Sequence, residues 1–198
     1  MDIENFETYK AYNEKGLKKP ATASLHKFIA SFLGDSERQD WVWSYLATLE
    51  KNNHCRIRHE IFTELVYPVL KQGYLNQDFD ATFWLGQLTQ NIYQNKALHE
   101  ELDFITEYQL YLKCYQLKPN SVEVISVLLK VMVQQLEYAL HEYPSAILWD
   151  NNSANLAQCE ELAKELAFAR KLDGESKYNL FFNDVEDKLS TYSARLNH

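Results

Sequence analysis

The sequence predicts an all-α protein, and three observations support that prediction. Five glycines and four prolines in 198 residues are too few for the turns that a sandwich or barrel of short strands needs. Apolar residues recur at steps of three and four along most of the chain, which is the spacing of one helix face. The most apolar segment, residues 121–141, carries its polar residues at the same steps. We therefore expect a multi-helix bundle or an αα-superhelix of about nine helices.

The first half of the chain contains the shorter predicted helices. We expect two of them near residues 3–15 and 23–33, and a third that begins at Asp35, where Ser36 and Gln39 have the spacing of a capping box. The apolar positions of this third helix and of the next two are Val42, Tyr45, Leu46 and Leu49, then Ile57, Ile61 and Leu65, then Phe79, Phe83, Leu88 and Ile92.

Proline and glycine mark the expected helix ends. Pro68 removes a backbone hydrogen bond, so it should kink or end the helix that contains it. Pro119 disfavours a helical conformation of the residue before it, so a helix with apolar residues from Leu98 to Tyr115 should end there. Four glycines follow amphipathic segments, as helix-ending glycines do: Gly16, Gly34, Gly73 and Gly174.

Residues 121–141 are predicted to form the central helix. Their valines and isoleucines would suit a strand, but a strand would place the polar residues on both faces. On a helix these residues form one narrow stripe: Glu123, Ser126, Lys130, Gln134 and Glu137. Asn120 is the expected N-cap. Because the remaining surface is apolar, we expect neighbouring helices to surround this one.

Two more helices are predicted after a loop around Pro144 and residues 150–152. Their apolar positions are Leu156, Cys159, Leu162, Ala163, Leu166 and Ala169 in one helix, and Tyr178, Phe181, Val185, Leu189, Tyr192 and Leu196 in the other. Since the chain length falls within the usual range of one domain, we expect residues 1–198 to form a single all-α domain.

One short segment resembles a known helical repeat. Residues 111–120 read Tyr-Leu-Lys-Cys-Tyr-Gln-Leu-Lys-Pro-Asn, in which a small residue precedes a Leu-Lys-Pro-Asn turn. This segment resembles the end of a tetratricopeptide repeat, and the resemblance covers these ten residues. No second copy follows after the period of about 34 residues that is typical of the family. The resemblance implies tetratricopeptide-like packing as one form of the αα-superhelix.

Composition and patterning disfavour several classes of protein. The longest apolar stretch, residues 122–133, contains three polar residues and is shorter than the roughly 20 residues of a membrane span. The acidic N-terminus lacks the basic and apolar regions of a secretory signal, so we expect a cytoplasmic protein that does not bind a membrane. Cys55, Cys114 and Cys159 are too widely spaced for a disulfide framework, and reduced thiols are expected.

The net charge of −8 is unevenly distributed along the sequence. Residues 99–198 carry 16 acidic and 9 basic side chains, a net of −7, whereas residues 1–98 carry 12 and 11, a net of −1. This charge disfavours binding to the phosphates of nucleic acids. It favours either simple solubility or a basic protein partner.

The segment from His54 to Glu60, His-Cys-Arg-Ile-Arg-His-Glu, concentrates metal-ligand residue types. On a helix, His54 and His59 would lie about 140° apart and would not share a face, unlike the two histidines of a zinc-binding His-Glu-x-x-His motif. We therefore favour a polar helix start over a metal site, for which His54, His59 and Glu60 are the candidates. No motif indicates a cofactor, and no catalytic residue is assigned.

Candidate binding residues form one aromatic and one acidic group. Trp41 and Trp43 would lie about 200° apart on one helix, so both cannot face one core, and at least one should lie in an inter-helix groove or at a partner surface. Core or groove packing is the favoured interpretation. Tyr45 is the third candidate residue of this group. The acidic group could face a partner or form an ordinary solvated helix face: Asp184, Glu186 and Asp187.

The leading hypothesis is a non-enzymatic helical protein–protein interaction module. It includes two narrower forms, an adaptor and an acidic immunity or antitoxin protein that masks a basic toxin. The alternative is a small helical enzyme or ligand-binding protein with a pocket between helices, which would use His54, His59, Glu60 or the acidic group around Asp184. The sequence leaves the oligomeric state open.

Overall fold

The computed structural model describes residues 1–49 and 57–197, and the fold is all-α, as predicted. Eleven helices and one pair of two-residue strands form within these described residues. The chain divides into two compact units, Met1–Thr106 and Glu107–His198. The single domain expected from the chain length stays a prediction.

Every regular element in the described part of the first unit is a helix. Its helices are α1 (Ile3–Glu14), α2 (Lys18–Ala30), α3 (Asp35–Ala47), α4 (residues 59–75), α5 (Phe79–Gln87), α6 (Thr89–Tyr93) and α7 (Lys96–Glu100). Helix α4 consists of His59–Ile61, a π-helical turn over Phe62–Val66, and Tyr67–Leu75. The most extensive helix–helix contacts of this unit are between α1 and α2 and between α4 and α5.

An aromatic cluster joins α1, α2 and α3. The ring centroid of Phe6 lies 4.8 Å from that of Phe28 and 5.3 Å from that of Trp41. Trp41 stacks on Tyr45, with centroids 4.9 Å apart and an angle of 8° between the ring planes. Each such pair contributes about 0.5–1.5 kcal/mol to stability beyond the burial of its area. Since its rings come from all three helices, this cluster forms their shared core.

Pro68 does not end its helix. The N–H of Tyr67 donates to the carbonyl of Phe62, five residues earlier, so the backbone forms a π-turn directly before the proline. Because proline has no N–H to donate, one helical hydrogen bond is missing at this position. The wider π-turn allows the helix to continue past it. Helix α4 therefore continues to Leu75.

Two of the four predicted glycine stops are wrong. Gly73 lies inside α4, and a Cβ at this position would overlap the Cβ of Ala81 on α5. Gly34 is the N-cap of α3 and does not end α2. The N-terminus of α3 has no side-chain cap, so the capping box predicted at Ser36 is also wrong. Gly16 follows α1 with a φ of 71°, as predicted for a glycine after a helix end.

The second unit combines four helices with a small hairpin in its described part. Its elements are α8 (Glu107–Leu117), α9 (Val122–Ala139), β1 (Leu148–Trp149), β2 (Asn152–Ser153), α10 (Leu156–Leu172) and α11 (Asn179–Leu196). The two strands pair antiparallel within the predicted loop, with Leu148 opposite Ser153. Helix α9 packs against α8, α10 and β1.

The helix predicted over Leu98–Tyr115 is divided in two. Helix α7 ends at Glu100 and α8 begins at Glu107. Between them Asp103 and Phe104 adopt φ values of 52° and 55°, a left-handed conformation that non-glycine residues rarely take. No glycine marks this break, and the apolar periodicity of the sequence continues across it. For these two reasons the sequence predicted one helix.

Helix α9 confirms the predicted polar stripe, because Glu123, Ser126, Lys130, Gln134 and Glu137 are all exposed. Its opposite side is buried through Val124, Leu128, Leu129, Val131, Met132, Val133, Leu136 and Ala139. The N-cap is Ser121, whose hydroxyl accepts from the N–H of Val124 at 3.4 Å, and the prediction of Asn120 was one residue early.

Two further sequence predictions concern thiols and membrane spans. Cys114 and Cys159 are buried free thiols, as expected, whereas Cys55 lies outside the described residues. Within residues 1–49 and 57–197, no helix combines the length and the apolar character that crossing a bilayer requires.

Replacement of Leu128 by Asp tests the orientation of α9. Leu128 is fully buried, so Leu128→Asp should lower the free energy of unfolding by at least about 4 kcal/mol, through the lost packing and the unpaired charge. Gln134→Ala, on the exposed stripe, should change it by less than about 0.5 kcal/mol. Urea denaturation followed by circular dichroism measures both values, and equal effects would contradict the assignment.

Replacement of Gly73 by Ala tests the close approach of α4 and α5. Overlap with Ala81 should lower the free energy of unfolding by about 1–3 kcal/mol, more than the roughly 1 kcal/mol that alanine gains over glycine in a helix. Gly174→Ala is the matched control, because a Cβ there meets no atom within 4 Å. A Gly73→Ala protein more stable than wild type in thermal denaturation would show that the helices are not in tight contact.

Candidate functional site

The predicted aromatic binding residues lie on α3 in different environments. Trp41 is 6% exposed and belongs to the aromatic cluster. Trp43 and Tyr45 are half-buried. Tyr45 lies against Trp41 within this cluster, so Trp43 is the member of the group that is outside it among the rings described. A binding role for the three residues stays a prediction.

The predicted metal candidates are not assembled into a site within the described residues. His54 lies outside them, and His59 is exposed. No group of three His, Cys, Asp or Glu side chains in the described ranges is placed to hold a metal ion. Glu60 instead accepts two hydrogen bonds from Arg58, at 2.9 Å from Nε and 3.1 Å from Nη2.

Arg58 and Glu60 join the start of α4 to the first two helices. Arg58 Nη2 also donates to the hydroxyl of Thr22 at 2.6 Å, and its guanidinium lies 5.4 Å from the ring centre of Tyr9. The bidentate hydrogen bond from Arg58 lowers the pKa of Glu60 to about 2. Arg58 and Glu60 therefore have a structural role, because they connect the start of α4 to α1 and α2.

The lowered pKa of Glu60 predicts a pH-dependent contribution to stability. A carboxylate with a depressed pKa stabilises the fold above its ordinary pKa, and this contribution is lost as the pH falls from about 5 to 2. Glu60→Gln should therefore lower the free energy of unfolding by about 1 kcal/mol at pH 7. The difference from wild type should shrink toward pH 2.

Glu64→Gln is the matched control for this measurement, because Glu64 lies exposed on the same helix. Urea denaturation at a series of pH values would show the two profiles. A Glu60→Gln effect that is constant from pH 7 to pH 2 would contradict the role of the ion pair.

The predicted acidic group lies exposed on α11, where two of its members form ion pairs. Asp184 accepts from Lys188 at 2.7 Å, one helical turn away. Glu186 accepts from Arg170 of α10 at 2.8 Å. Asp187 is exposed as well. Glu186 lines a surface cavity, whereas Asp184 and Asp187 do not line that cavity.

Helices α10 and α11 form a helical hairpin, which is distinct from the β1–β2 hairpin. A groove lies along the surface between these two helices, and we name it the hairpin groove. Its volume is about 320 Å³. It is lined by Cys159, Glu160, Ala163, Leu166, Ala167 and Arg170 of α10 and by Glu186, Leu189, Ser190 and Ser193 of α11. The side chains of Cys159, Leu166 and Leu189 are buried, whereas Ala163, Ala167 and Ser190 are exposed. The groove thus has an apolar floor and small side chains along its edges.

Polar contacts fix the two helices that form the hairpin groove. The guanidinium of Arg170 donates to Asn179 at 3.2 Å, to Asn183 at 3.0 Å and to Glu186 at 2.8 Å. Because Arg170 lies in the last turn of α10 and Asn179 is the first residue of α11, the helices run antiparallel. The carboxylate of Asp173 closes the connection by accepting from the N–H groups of residues 177 and 178, at 3.0 and 2.7 Å.

The other end of the helical hairpin, at the start of α10, is also fixed by hydrogen bonds. Asn155 and Gln158 form a reciprocal capping box at the start of α10, with hydrogen bonds of 2.9 and 3.0 Å. The hydroxyl of Tyr192 donates to the carbonyl of Ala154 at 3.3 Å. Since both ends are tied, the hairpin groove is preorganised, which reduces the entropy that a binding partner must overcome.

The structural division changes the interpretation of the charge distribution. The boundary between the units lies at Thr106, so Glu100, Glu101 and Asp103 belong to the first unit. Residues 1–106 then carry 15 acidic and 11 basic side chains, and residues 107–198 carry 13 and 9, a net charge of −4 in each. The acidic excess is therefore a property of both units. The asymmetry expected from the sequence arose because the charges were counted on either side of residue 99, which is not the boundary between the units.

Of the residues that line the hairpin groove, only Glu186 was among the binding residues predicted from the sequence. Ala163 was assigned to the buried seam of its helix, but it is exposed. A second cavity lies beside α4, and it contains none of the predicted site residues. The repeated spacing of Ala163 and Ala167 on one helix and Glu186 and Ser190 on the other was the available signal, since residues four apart share a helix face.

Comparison with known proteins gives no further assignment. No family model matches the chain, and neither a curated protein nor a solved structure matches it. The geometry of the two cavities is therefore the basis on which a function can be proposed.

Proposed function

We propose that this chain is a non-enzymatic protein–protein interaction module that binds a basic amphipathic helix of its partner in the hairpin groove. The proposal includes the two forms expected from the sequence, an adaptor and an acidic immunity or antitoxin protein. The observation that carries it is the groove itself, with buried apolar side chains between two edges of small, exposed ones.

The shape of the groove supports a helix as the bound element. Helices pack with their axes 8–10 Å apart, and small side chains at the contact permit the closer distances. Ala163, Ala167 and Ser190 are small and exposed, so a third helix can approach α10 and α11 without displacing them. Its apolar residues, spaced three and four apart, would then contact Leu166 and Leu189, as in other complexes of a helix with a groove.

Charge supports a basic partner. Glu160 and Glu186 line the groove, and Arg170, the one cation among its lining residues, already donates to Asn179, Asn183 and Glu186. Glu160 is exposed and adds a second negative charge at the groove. The net charge of −8 also attracts a basic protein at longer range, which raises the association rate.

Substitution of Ala163 by Phe tests the groove directly. The phenyl ring would occupy the space between the helices, while the exposed position of Ala163 leaves the core intact. Ala157→Phe is the matched control, because Ala157 is exposed on the same helix and does not line the groove. Wild type and both variants would be immobilised and exposed to extract from the native cell, and captured proteins identified by mass spectrometry.

The expected result is a basic protein that wild type and Ala157→Phe capture and that Ala163→Phe does not. With that protein purified, Ala163→Phe should weaken affinity at least about tenfold, and the association rate to wild type should fall as salt is added. Equal binding by Ala163→Phe, or an association rate independent of salt, would overturn the proposal. Dimerisation of the wild type through the groove would overturn it as well, since the occupant would then be a second copy.

A further inference from the structure

The second cavity lies entirely within the first unit, beside α4, and we name it the α4 pocket. Its volume is about 470 Å³, which falls within the range of small-molecule sites. It is lined by Thr63, Tyr67, Pro68, Lys71, Gln72 and Leu75 of α4 and by Leu98 and Glu101 at the end of α7. The pocket is separate from the hairpin groove in residues and in unit.

One side of the α4 pocket is a line of residues four apart: Thr63, Tyr67, Lys71 and Leu75. In a regular α-helix a step of four residues exceeds the 3.6 residues of a turn, so such a line drifts around the helix. The π-turn over Phe62–Val66 is wider than an α-turn and reduces this drift at the start of the line. The π-turn, which is often found at functional sites, thus helps to bring Thr63 to the same side as Tyr67 and Lys71.

An ion pair joins the two sides of the pocket. Lys71 Nζ donates to Glu101 Oε2 at 2.7 Å. The hydroxyl of Tyr67 lies 3.2 Å from the same oxygen and 3.1 Å from the carbonyl oxygen of Leu98. Burial, together with the charge of Glu101, raises the pKa of Tyr67, so its hydroxyl stays protonated as a donor. The hydrogen bond from Lys71 lowers the pKa of Glu101, which stays ionised.

The ion pair retains unused hydrogen-bonding capacity on the pocket side. Both contacts to Glu101 are made by Oε2, and Oε1 has no hydrogen-bond donor among the described residues. The ammonium group of Lys71 has three protons, of which one is used by Glu101 in the described structure. The side chains of Lys71 and Glu101 are 32% and 47% exposed, so a ligand can reach both charges.

We infer that the α4 pocket binds a free apolar α-amino acid. The ligand's ammonium group would donate to Glu101 Oε1, and its carboxylate would accept from Lys71 Nζ. Pro68, Leu75 and Leu98, which line the same pocket, would contact the apolar side chain. Leu75 is 61% exposed, and a ligand side chain would remove part of that surface from water.

The paired charges select this class of ligand over simple ions. A phosphate or a carboxylate without an amine would be attracted by Lys71 but repelled by Glu101, and a simple amine would experience the reverse. A zwitterion has no net charge and presents both complementary groups about 3 Å apart, which matches the separation of the two charged groups.

Titration of the full chain with L-leucine tests this inference, with binding followed by calorimetry and by NMR chemical shifts. We expect one saturable site with a Kd below about 1 mM. N-acetyl-L-leucinamide, which has the same side chain and neither charge, should bind at least about tenfold more weakly. Equal binding of the two compounds, or no saturation by leucine up to about 10 mM, would overturn the inference.

Variants identify the residues. Glu101→Gln and Lys71→Met should each weaken leucine binding at least about tenfold, whereas Lys96→Met should not change it. Lys96 is the matched control, because it pairs with Glu100 on α7 and does not line the pocket. If loss of the ion pair unfolds the chain, Leu75→Ala provides the answer, since it removes an exposed side chain. It should weaken leucine binding several-fold and leave glycine binding unchanged, and equal affinities in Leu75→Ala and wild type would count against the assignment.

Discussion

The apolar side of α9 is the constraint on which the second unit depends. Eight of its side chains are buried, and each large one contributes about 1.5–3 kcal/mol when it is removed from water. Helices α8 and α10 and strand β1 provide the surfaces that cover it. Because α10 is held in this way, its opposite side is free to pair with α11, and the hairpin groove exists as a consequence of the burial of α9.

In the first unit the equivalent constraint is the close contact between α4 and α5. Gly73 permits it, because any larger residue would meet Ala81. Lys71 lies about 200° from Gly73 around α4, so one side of this helix packs on α5 while another faces the pocket. The aromatic cluster of α1, α2 and α3 is tied to the start of α4 through Arg58, which reaches Thr22 and Tyr9.

Much of the helical content could be predicted because the apolar periodicity is strong. The stripe of α9 was correct at all five positions, since a helix with one polar face has no other arrangement in water. The break at Asp103 and Phe104 could not be predicted, because left-handed residues without glycine leave no compositional signal. Gly73 was misinterpreted for a related reason, as a glycine that ends a helix and one that permits close packing look the same in sequence.

The sites were less predictable than the fold. Lys71 and Glu101 are 30 residues apart in sequence, and nothing in the spacing of either residue indicates that the end of α7 lies beside α4. The hairpin groove depends on the exposure of Ala163, and whether an alanine on an amphipathic helix is buried or exposed is decided by its neighbours. The acidic group at Asp184 was easier to see in the sequence, but two of its three residues, Asp184 and Glu186, form ion pairs, and Asp184 and Asp187 line neither cavity.

The two proposed binding events would depend on charge in different ways. Attraction of a basic helix to an acidic protein acts over distances comparable to the Debye length, about 10 Å at 0.1 M salt, so added salt weakens it strongly. In the α4 pocket, Lys71 and Glu101 would touch the ligand directly, at distances well inside that length. Salt therefore affects the pocket less than the groove. This difference follows from the geometry alone, because the net charge of −4 is the same in both units, and it makes the two binding events separable by ionic strength.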